Sequence, residues 1–256
     1  MNQPDGNTSF HGMTALVTGA SSGIGAATAL AFAARGAHVV ATYNHRKGEA
    51  EALLDTIRKA GGQAEILQAD LSNMDGVHSL IAALGSRPID ILVNNAGSLV
   101  QRTRVLEFSE ELWNHVLTLN LTSAFFISKA VLRGMVDRKS GFIVNVSSVA
   151  ARNGGGVGAL VYATAKAAVS TMTKGLAKEF APEGIRVNAV SPGTIDNNFH
   201  RAFSTGQMLD SVKAATPAGR HGTNEEVAEV ILFLCSPGAS FVHGQVIEIN
   251  GGFLMA

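Results

Sequence analysis

Cysteine is almost absent. The single Cys235 excludes an internal disulfide, and its place in the apolar run Val230–Cys235 predicts a buried, inert thiol. Neither charge sign is in excess, with Lys+Arg and Asp+Glu at 20 each and no basic cluster. Nucleic acid and anionic membrane surfaces are therefore not expected partners. No apolar run approaches the roughly 20 residues a membrane helix needs. Residues 1–8 are polar and lack the basic-then-apolar pattern of a signal peptide, so a cytoplasmic protein is the expectation. Histidines fall at no metal-ligand spacing, and no metal is expected. Aromatics make up only 6% of the chain; Trp113 and the scattered phenylalanines are expected in the core.

What remains is an ordinary globular composition, 46% hydrophobic and 16% charged, without the charge excess of a disordered chain. The 256 residues suit one large α/β domain spanning 1–256. No linker, repeat or low-complexity segment divides it, and residues 1–12 read as a loose lead-in.

Short apolar strands alternate with helical stretches. Strands are expected at Thr14–Thr18, Ala37–Tyr43, Gln63–Ala69, Ile89–Val93, Gly141–Val146, Gly184–Val190 and Gln245–Ile249. Helices are expected up to about Arg35, over Glu49–Ala60, 73–85, Glu110–Arg138 (with a break at Gly134), Ala163–Phe180 and 224–235. The last opens with a capping box, Thr223 to Glu226. Residues 196–216 have no clear period. This alternation predicts βαβ units and a parallel sheet with helices on both faces.

After the first strand comes Gly19-Ala20-Ser21-Ser22-Gly23-Ile24-Gly25, then an alanine-rich helix. Strand, glycine-rich turn and helix form a setting in which backbone N–H groups and a helix N-terminus hold a phosphate. The same residues match Gly-x-Ser-x-Gly, the nucleophile elbow of a serine hydrolase. Ser21 would then need a later acid and histidine, such as Asp196 with His221 or His243, and no local pattern marks those out.

Tyr162 and Lys166 are four residues apart on an expected helix and so share a face. An ammonium beside a phenol favours the phenolate, which would make Tyr162 a general acid/base. Ser148 closes the preceding strand. Its neighbour Ser147, on the other side of the pleat, is read as structural.

Taken in order, Thr18-Gly19-x-x-x-Gly23-Ile24-Gly25, Asp70-Leu71, Asn94-Asn95-Ala96-Gly97, Asn120, Ser148, Tyr162-x-x-x-Lys166 and Pro192-Gly193 resemble the short-chain dehydrogenase/reductase family over about residues 13–253. The 3-oxoacyl-(acyl-carrier-protein) reductase-like members look nearest. The resemblance implies a doubly wound Rossmann fold of about seven strands, a nicotinamide cofactor, and hydride transfer between a ketone and a secondary alcohol. It gives Tyr162 the acid/base role. It has Lys166 lower the Tyr162 pKa and bind the nicotinamide ribose. Ser148 would hold the substrate oxygen, and Asn120 would join a proton relay. Cofactor contacts implied are Gly19, Ser21, Ser22, Gly23, Ile24, Gly25, Asn44, His45, Arg46, Asp70, Leu71, Asn95, Ala96, Gly97, Tyr162, Lys166, Pro192, Gly193, Thr194 and Ile195. Asn94 would tie strands together. Asn197 stands where the family often has threonine. Asn120 could equally be a buried amide satisfied by backbone, Asp70 a helix cap, and Asn94 and Asn95 turn residues.

A carboxylate about 20 residues past the glycine turn suits NAD, and a basic residue there suits NADP. The second strand ends in Tyr43-Asn44-His45-Arg46-Lys47, without an acid before Glu49, so NADP(H) is favoured and NAD(H) remains possible. Pocket walls are expected from 98–105, 152–158 and the substrate loop 196–216, with Leu99, Val157, Phe199, Phe203 and Met208. Arg102, Arg104 and Arg201 could grip an acid or a carrier phosphopantetheine. The alternatives are an NAD-dependent sugar or alcohol dehydrogenase of the same fold, and a nucleotide-binding sensor without catalysis. The resemblance also implies a homo-oligomer, a tetramer or dimer, built through the helices bearing Asn120 and Lys166 and the last strand.

Overall fold

The computed structural model describes residues 9–255. Strands β1 (Thr14–Val17), β2 (His38–Tyr43), β3 (Gln63–Gln68), β4 (Ile91–Asn94), β5 (Gly141–Val146), β6 (Ile185–Pro192) and β7 (Val246–Ile249) make one sheet in the order β3-β2-β1-β4-β5-β6-β7. Every pairing is parallel. Parallel strands need crossovers, and these put helices on both faces. One layer packs Ala15, Val17 and Val93 against Phe32, Leu53, Ile57 and Ile231, from α1 (Gly23–Ala34), α2 (Lys47–Lys59) and α10 (Asn224–Leu234). The other packs Leu16, Leu92 and Ile143 against Leu80, Ile127, Met135 and Leu176. These come from α3 (Met74–Leu84), α5 (Ser123–Arg138) and α7 (Leu160–Phe180). Neighbours along a strand thus serve opposite layers, as the pleat requires.

The strand order reverses between β1 and β4, and the crevice beyond their carboxyl ends is where ligands bind in such sheets. The chain segments after β1, β4, β5 and β6 all meet there.

Several expectations need correction. The lead-in over residues 1–12 is not loose where it is described, and residues 1–8 lie outside the described part. Phe10 is 1% exposed and stands edge-on to Phe32 at 5.0 Å. An aromatic ring beside an apolar layer gains more from burial than the backbone loses in freedom.

The helix expected over Glu110–Arg138 does not break at Gly134, which lies inside α5. It changes pitch instead between α4 (Glu110–Leu117) and α5, in a π turn at Thr118–Thr122. Asn120 sits in that turn, and its amide donates to the Val116 carbonyl at 2.9 Å, a side chain entering the backbone ladder. This continuous helical run is long and apolar enough to cross a membrane by length and composition, and 44% of its most apolar 18-residue window is buried in the fold. That outcome departs from the reading of the sequence, which counted only unbroken apolar runs.

Trp113 is not core: it is 41% exposed, as are Phe125 at 43% and Phe233 at 49%. They occupy outward faces of helices whose inner faces already fill the layers. Residues 196–216 contain two helices, α8 (Asn198–Phe203) and α9 (Gly206–Ala215), capped by Asn197 and Thr205.

Candidate active site

At the end of β1 the chain turns through Gly19, whose φ of 64° suits glycine. A Cβ there would lie 2.9 Å from the Ala96 Cα. The close approach is laced by hydrogen bonds. The Thr18 hydroxyl accepts from the Asn95 and Ala96 amides, both at 3.0 Å. The Asn95 side chain donates to Thr18 O at 2.8 Å and Gly19 O at 3.0 Å. β1 and β4 are thereby locked at the crevice.

The next residues fit an anionic group. Ser22 caps α1 in an extended conformation without a side-chain capping bond, and the first turn carries no acid. Among the described residues no acceptor faces the amides of Ser21, Ser22, Gly23 and Ile24. Beside Gly23 stand the Asn197 and Asn224 side chains, each 3.7 Å from where a Cβ would lie, an ordinary contact. Gly25 is buried in the first helical turn. Unpaired donors at the positive end of a helix are what a pyrophosphate needs. The hydrolase alternative fails here. Among the described residues Ser21 hydrogen-bonds no histidine or carboxylate; Asp196 pairs with Arg201 at 3.1 Å, and the His221 ring bonds Leu209 O at 3.0 Å.

Along the crevice, past β2 and β3, Asn44 donates to Asp70 Oδ1 at 3.1 Å. The Asp70 carboxylate also accepts from the Ser72 hydroxyl at 2.7 Å and from Asn73 Nδ2 at 2.9 Å. Burial works upward on Asp70, but the Ser72 bonds and the nearby His45 and His115 outweigh it and leave its pKa below the ordinary value. Asp70 is not the cap of α3; Asn73 is, accepting from Gly76 N. Leu71 is buried in a core layer, so its side chain packs rather than facing the crevice. His45 and Arg46 are exposed, while Lys47 pairs with Glu51 at 3.5 Å.

Beyond β4 and β5 lies the cluster centred on Tyr162. Asn94 donates to Asn145 Oδ1 at 2.8 Å and Ser128 Oγ at 2.9 Å, joining β4, β5 and α5. Asn120 is 1% exposed and bound to backbone on every side. It accepts from Ser98 N at 3.1 Å and donates to Ser98 O at 2.8 Å as well as to Val116 O. The buried-amide reading is thus correct for its bonding. Yet a Cβ on Gly97 would lie 2.7 Å from Asn120 Oδ1 and 2.9 Å from Lys166 Nζ. Glycine alone leaves these two groups facing a shared space. Lys166 is buried, and its ammonium donates to Val146 O at 2.8 Å. Ser147 bonds Lys166 O at 2.9 Å and Ser170 Oγ at 2.8 Å, so it steadies α7 and faces away from Ser148.

Against expectation, the Tyr162 pKa is not lowered. Crowding by neighbours pushes Tyr162 up to about 12, and the nearby Ser148 hydroxyl pulls it back only in part. The residue keeps some solvent exposure, which limits the rise. Lys166 Nζ lies 5.7 Å from the ring centroid, and burial pushes it down to about 8. Desolvation disfavours both charged forms at once.

Over this cluster lies α8. Phe199 sits against Tyr162 with ring centroids 5.7 Å apart and against Phe203 at 5.1 Å. Asn197, in doubt as a cofactor contact, caps α8 through Phe199 N at 3.1 Å and donates to Asn224 at 3.1 Å. After β6, Pro192 O accepts from Val149 N at 3.0 Å, Ile195 bridges to Gly222, and Pro192 and Gly193 are buried. Of the expected walls, Leu99 is buried at 3% and Val157 is 78% exposed. Val100 was not singled out from the sequence. Its φ of 62° is an outlier for a β-branched residue, in a three-residue turn closed by Gln101 N to Leu99 O at 2.7 Å. Two clefts of about 670 and 410 Å³ lie at the other end of the strands and contain none of these residues.

Comparisons with known proteins agree with this geometry. Residues 19–254 match the sequence profile of the family described as Enoyl-(Acyl carrier protein) reductase. The chain is 41% identical to the 3-oxoacyl-[acyl-carrier-protein] reductase of Synechocystis sp., over 97% of this chain and 99% of that one. A candidate NAD(P)-dependent gluconate 5-dehydrogenase from Beutenbergia cavernae with bound NADP is similar in structure. Its TM-score is 0.90 at 39% identity, covering 98% of this chain and 100% of that one. A candidate 2-deoxy-d-gluconate 3-dehydrogenase from Agrobacterium tumefaciens with bound NADP gives 0.87 at 37% identity, with 97% and 99% covered. With this sheet order, this crevice and identity of this extent over almost its whole length, the chain belongs to the short-chain dehydrogenase/reductase family of NAD(P)-dependent oxidoreductases.

Proposed function

We propose that the protein is an NADP(H)-dependent oxidoreductase interconverting a ketone and a secondary alcohol, with Tyr162 as acid/base. The observation that carries this reading is that Asn120 and Lys166 both face Gly97, with the Tyr162 ring beside Lys166 and Ser148, and that Gly19 of the cradle at residues 19–25 lies against Ala96. When bound, a nicotinamide supplies or takes the hydride at the reacting carbon. The rest falls to the chain. Ser148 and Tyr162 donate to the ketone oxygen as it gains negative charge, each such donor being worth about 3 kcal/mol. Tyr162 passes its proton to that oxygen. Lys166, charged at neutral pH, supports the phenolate left behind, and Asn120 lies across the shared space from it. Residues 19–25, 44–46, 70–71, 95–97 and 192–195 would hold the dinucleotide.

NADP(H) is favoured over NAD(H) because Arg46 is exposed at the end of β2 and makes no ion pair among the described residues. The two solved relatives described above hold NADP. A 3-oxoacyl substrate is supported by the Synechocystis relative; a sugar-acid or alcohol substrate is supported by the dehydrogenases of similar structure. We place the enzyme in the cytoplasm as a homo-oligomer. The buried Cys235 thiol, pushed up to about 12, calls for no oxidising compartment.

Titration with NADPH and with NADH, followed by a ketone panel, tests the reading. NADPH should bind more tightly and be oxidised. Tyr162→Phe should keep NADPH binding and lose roughly 100- to 10,000-fold in kcat. Better kcat/KM with NADH refutes the cofactor choice. An unchanged Tyr162→Phe enzyme refutes the acid/base, and binding without turnover of any ketone favours the sensor.

A further inference from the structure

Three arginines on the pocket side could bind an anion, and the structure separates them. Arg201 is occupied by Asp196 on the outer face of α8, and Arg104 is exposed. Arg102 is half-buried between Val157 and Phe203. Its Nε donates to Phe203 O at 2.6 Å and its Nη1 to Val157 O at 2.8 Å. Both partners are neutral carbonyls, and no ion pair among the described residues includes Arg102. A guanidinium carries five N–H donors, so the Nη2 group and one Nη1–H remain unclaimed, along the edge that takes a carboxylate bidentately.

His200 beside Arg102 supplies no negative charge to pair with it. His200, on α8, is pushed down to about 4 by burial first and then by His221 and Arg102, so it is neutral at working pH and offers Arg102 no counter-charge. The Phe199–Phe203 pair spans the interval between Tyr162 and Arg102: Phe199 contacts the Tyr162 ring and the Phe203 carbonyl accepts from Arg102. A cation partly withdrawn from water without a paired anion is costly. An arriving carboxylate removes that cost.

We propose that Arg102 is the specificity-determining residue for an anionic substrate, a small free oxo or hydroxy acid. Its carboxylate docks on the open Nη1–Nη2 edge, its chain lies along Phe199 and Phe203, and its ketone or alcohol reaches Tyr162. This rests on the oxidoreductase reading above and names its substrate class. The carboxylate stands several bonds from the reacting carbon, because two aromatic rings separate the two anchor points.

The test uses the full chain with NADPH and a homologous series of straight-chain oxo acids, each beside its methyl ester, together with a 3-oxoacyl thioester of a carrier protein. For at least one chain length the acid should exceed its ester in kcat/KM by roughly 10- to 100-fold, mainly through KM, the scale of a charge-assisted bond. Arg102→Gln should abolish that ratio, and Arg102→Lys should keep part of it. Equal kcat/KM for acids and esters overturns the proposal. So does a fall in Arg102→Gln that is the same for both, which would mark a latch for α8 alone, and so does a preference for the carrier thioester that Arg102→Gln leaves unchanged. Should Arg102→Gln fail to fold, the acid-to-ester ratio of the unaltered enzyme decides. Methyl esters reduced without any advantage for the acids leave the oxidoreductase reading intact, whereas no ketone reduced at all removes both.

Discussion

Lys166 is a buried amine whose ammonium donates to a backbone carbonyl, and burial pushes it down to about 8. Below that pH it is charged, and above it neutral. Tyr162, pushed up to about 12, stays protonated through the same range. Ketone reduction needs both protons in place, so its kcat/KM should be level below about pH 8 and decline above it. Alcohol oxidation, which needs the phenolate, should rise with pH. Rate profiles in both directions check this, and Lys166→Met should lose the inflection near 8. The sign for stability follows from the same shift. Between about pH 8 and 10.5 the folded chain binds fewer protons than the unfolded one, so Lys166 adds stability as pH rises through that window. The Tyr-Lys spacing was legible because four residues is one helical turn. The sign of the tyrosine shift was not, since desolvation depends on what packs around the ring.

Among the elements, α10 was read from its capping box, and the box is formed. Thr223 Oγ1 accepts from Glu226 N at 3.2 Å, and Glu226 Oε2 accepts from Thr223 N at 2.8 Å. Glu226 is pushed down to about 2 by the Arg220 hydrogen bonds first, then by Thr223. It is exposed, so its share of stability is modest. Thr223→Ala should cost about 1 kcal/mol, lowering Tm by about 2–4 °C. The deficit of Glu226→Gln against the unaltered chain should be full above pH 4.5 and shrink as pH falls toward about 2, measured by thermal melts across that range. A cap is written in four adjacent residues and so can be read locally. The π turn at 118–122 is harder to read, because Asn120 within it is also held by Ser98 N and Ser98 O, 22 residues away. Residues 196–216 were opaque for a related reason. α8 is only six residues long, too short to show a period, and rests on Tyr162 rather than on its own pattern.

Over the whole molecule, the reversal of strand order between β1 and β4 gathers residues 18–25, 94–97, 148–166 and 192–195 at one end of the sheet. The outer faces of α4 and α5 leave Trp113 and Phe125 exposed, which fits the proposed homo-oligomer. Light scattering should give the mass of a dimer or tetramer, and Phe125→Glu should lower it. A monomeric unaltered chain would refute the assembly.

The sequence by itself determined the sheet and the alternation of elements, and it supplied the residues of the proposed cradle and reacting cluster. Those depend on local periods and on glycine, cap and turn chemistry, which act between near neighbours. Tertiary structure alone decided the bonding of Asn120, the upward shift of Tyr162, the burial of Phe10, the strain at Val100 and the choice of Arg102 among three arginines. Each depends on groups far apart in the chain that meet only when the sheet has wound, where burial and missing partners set the energy.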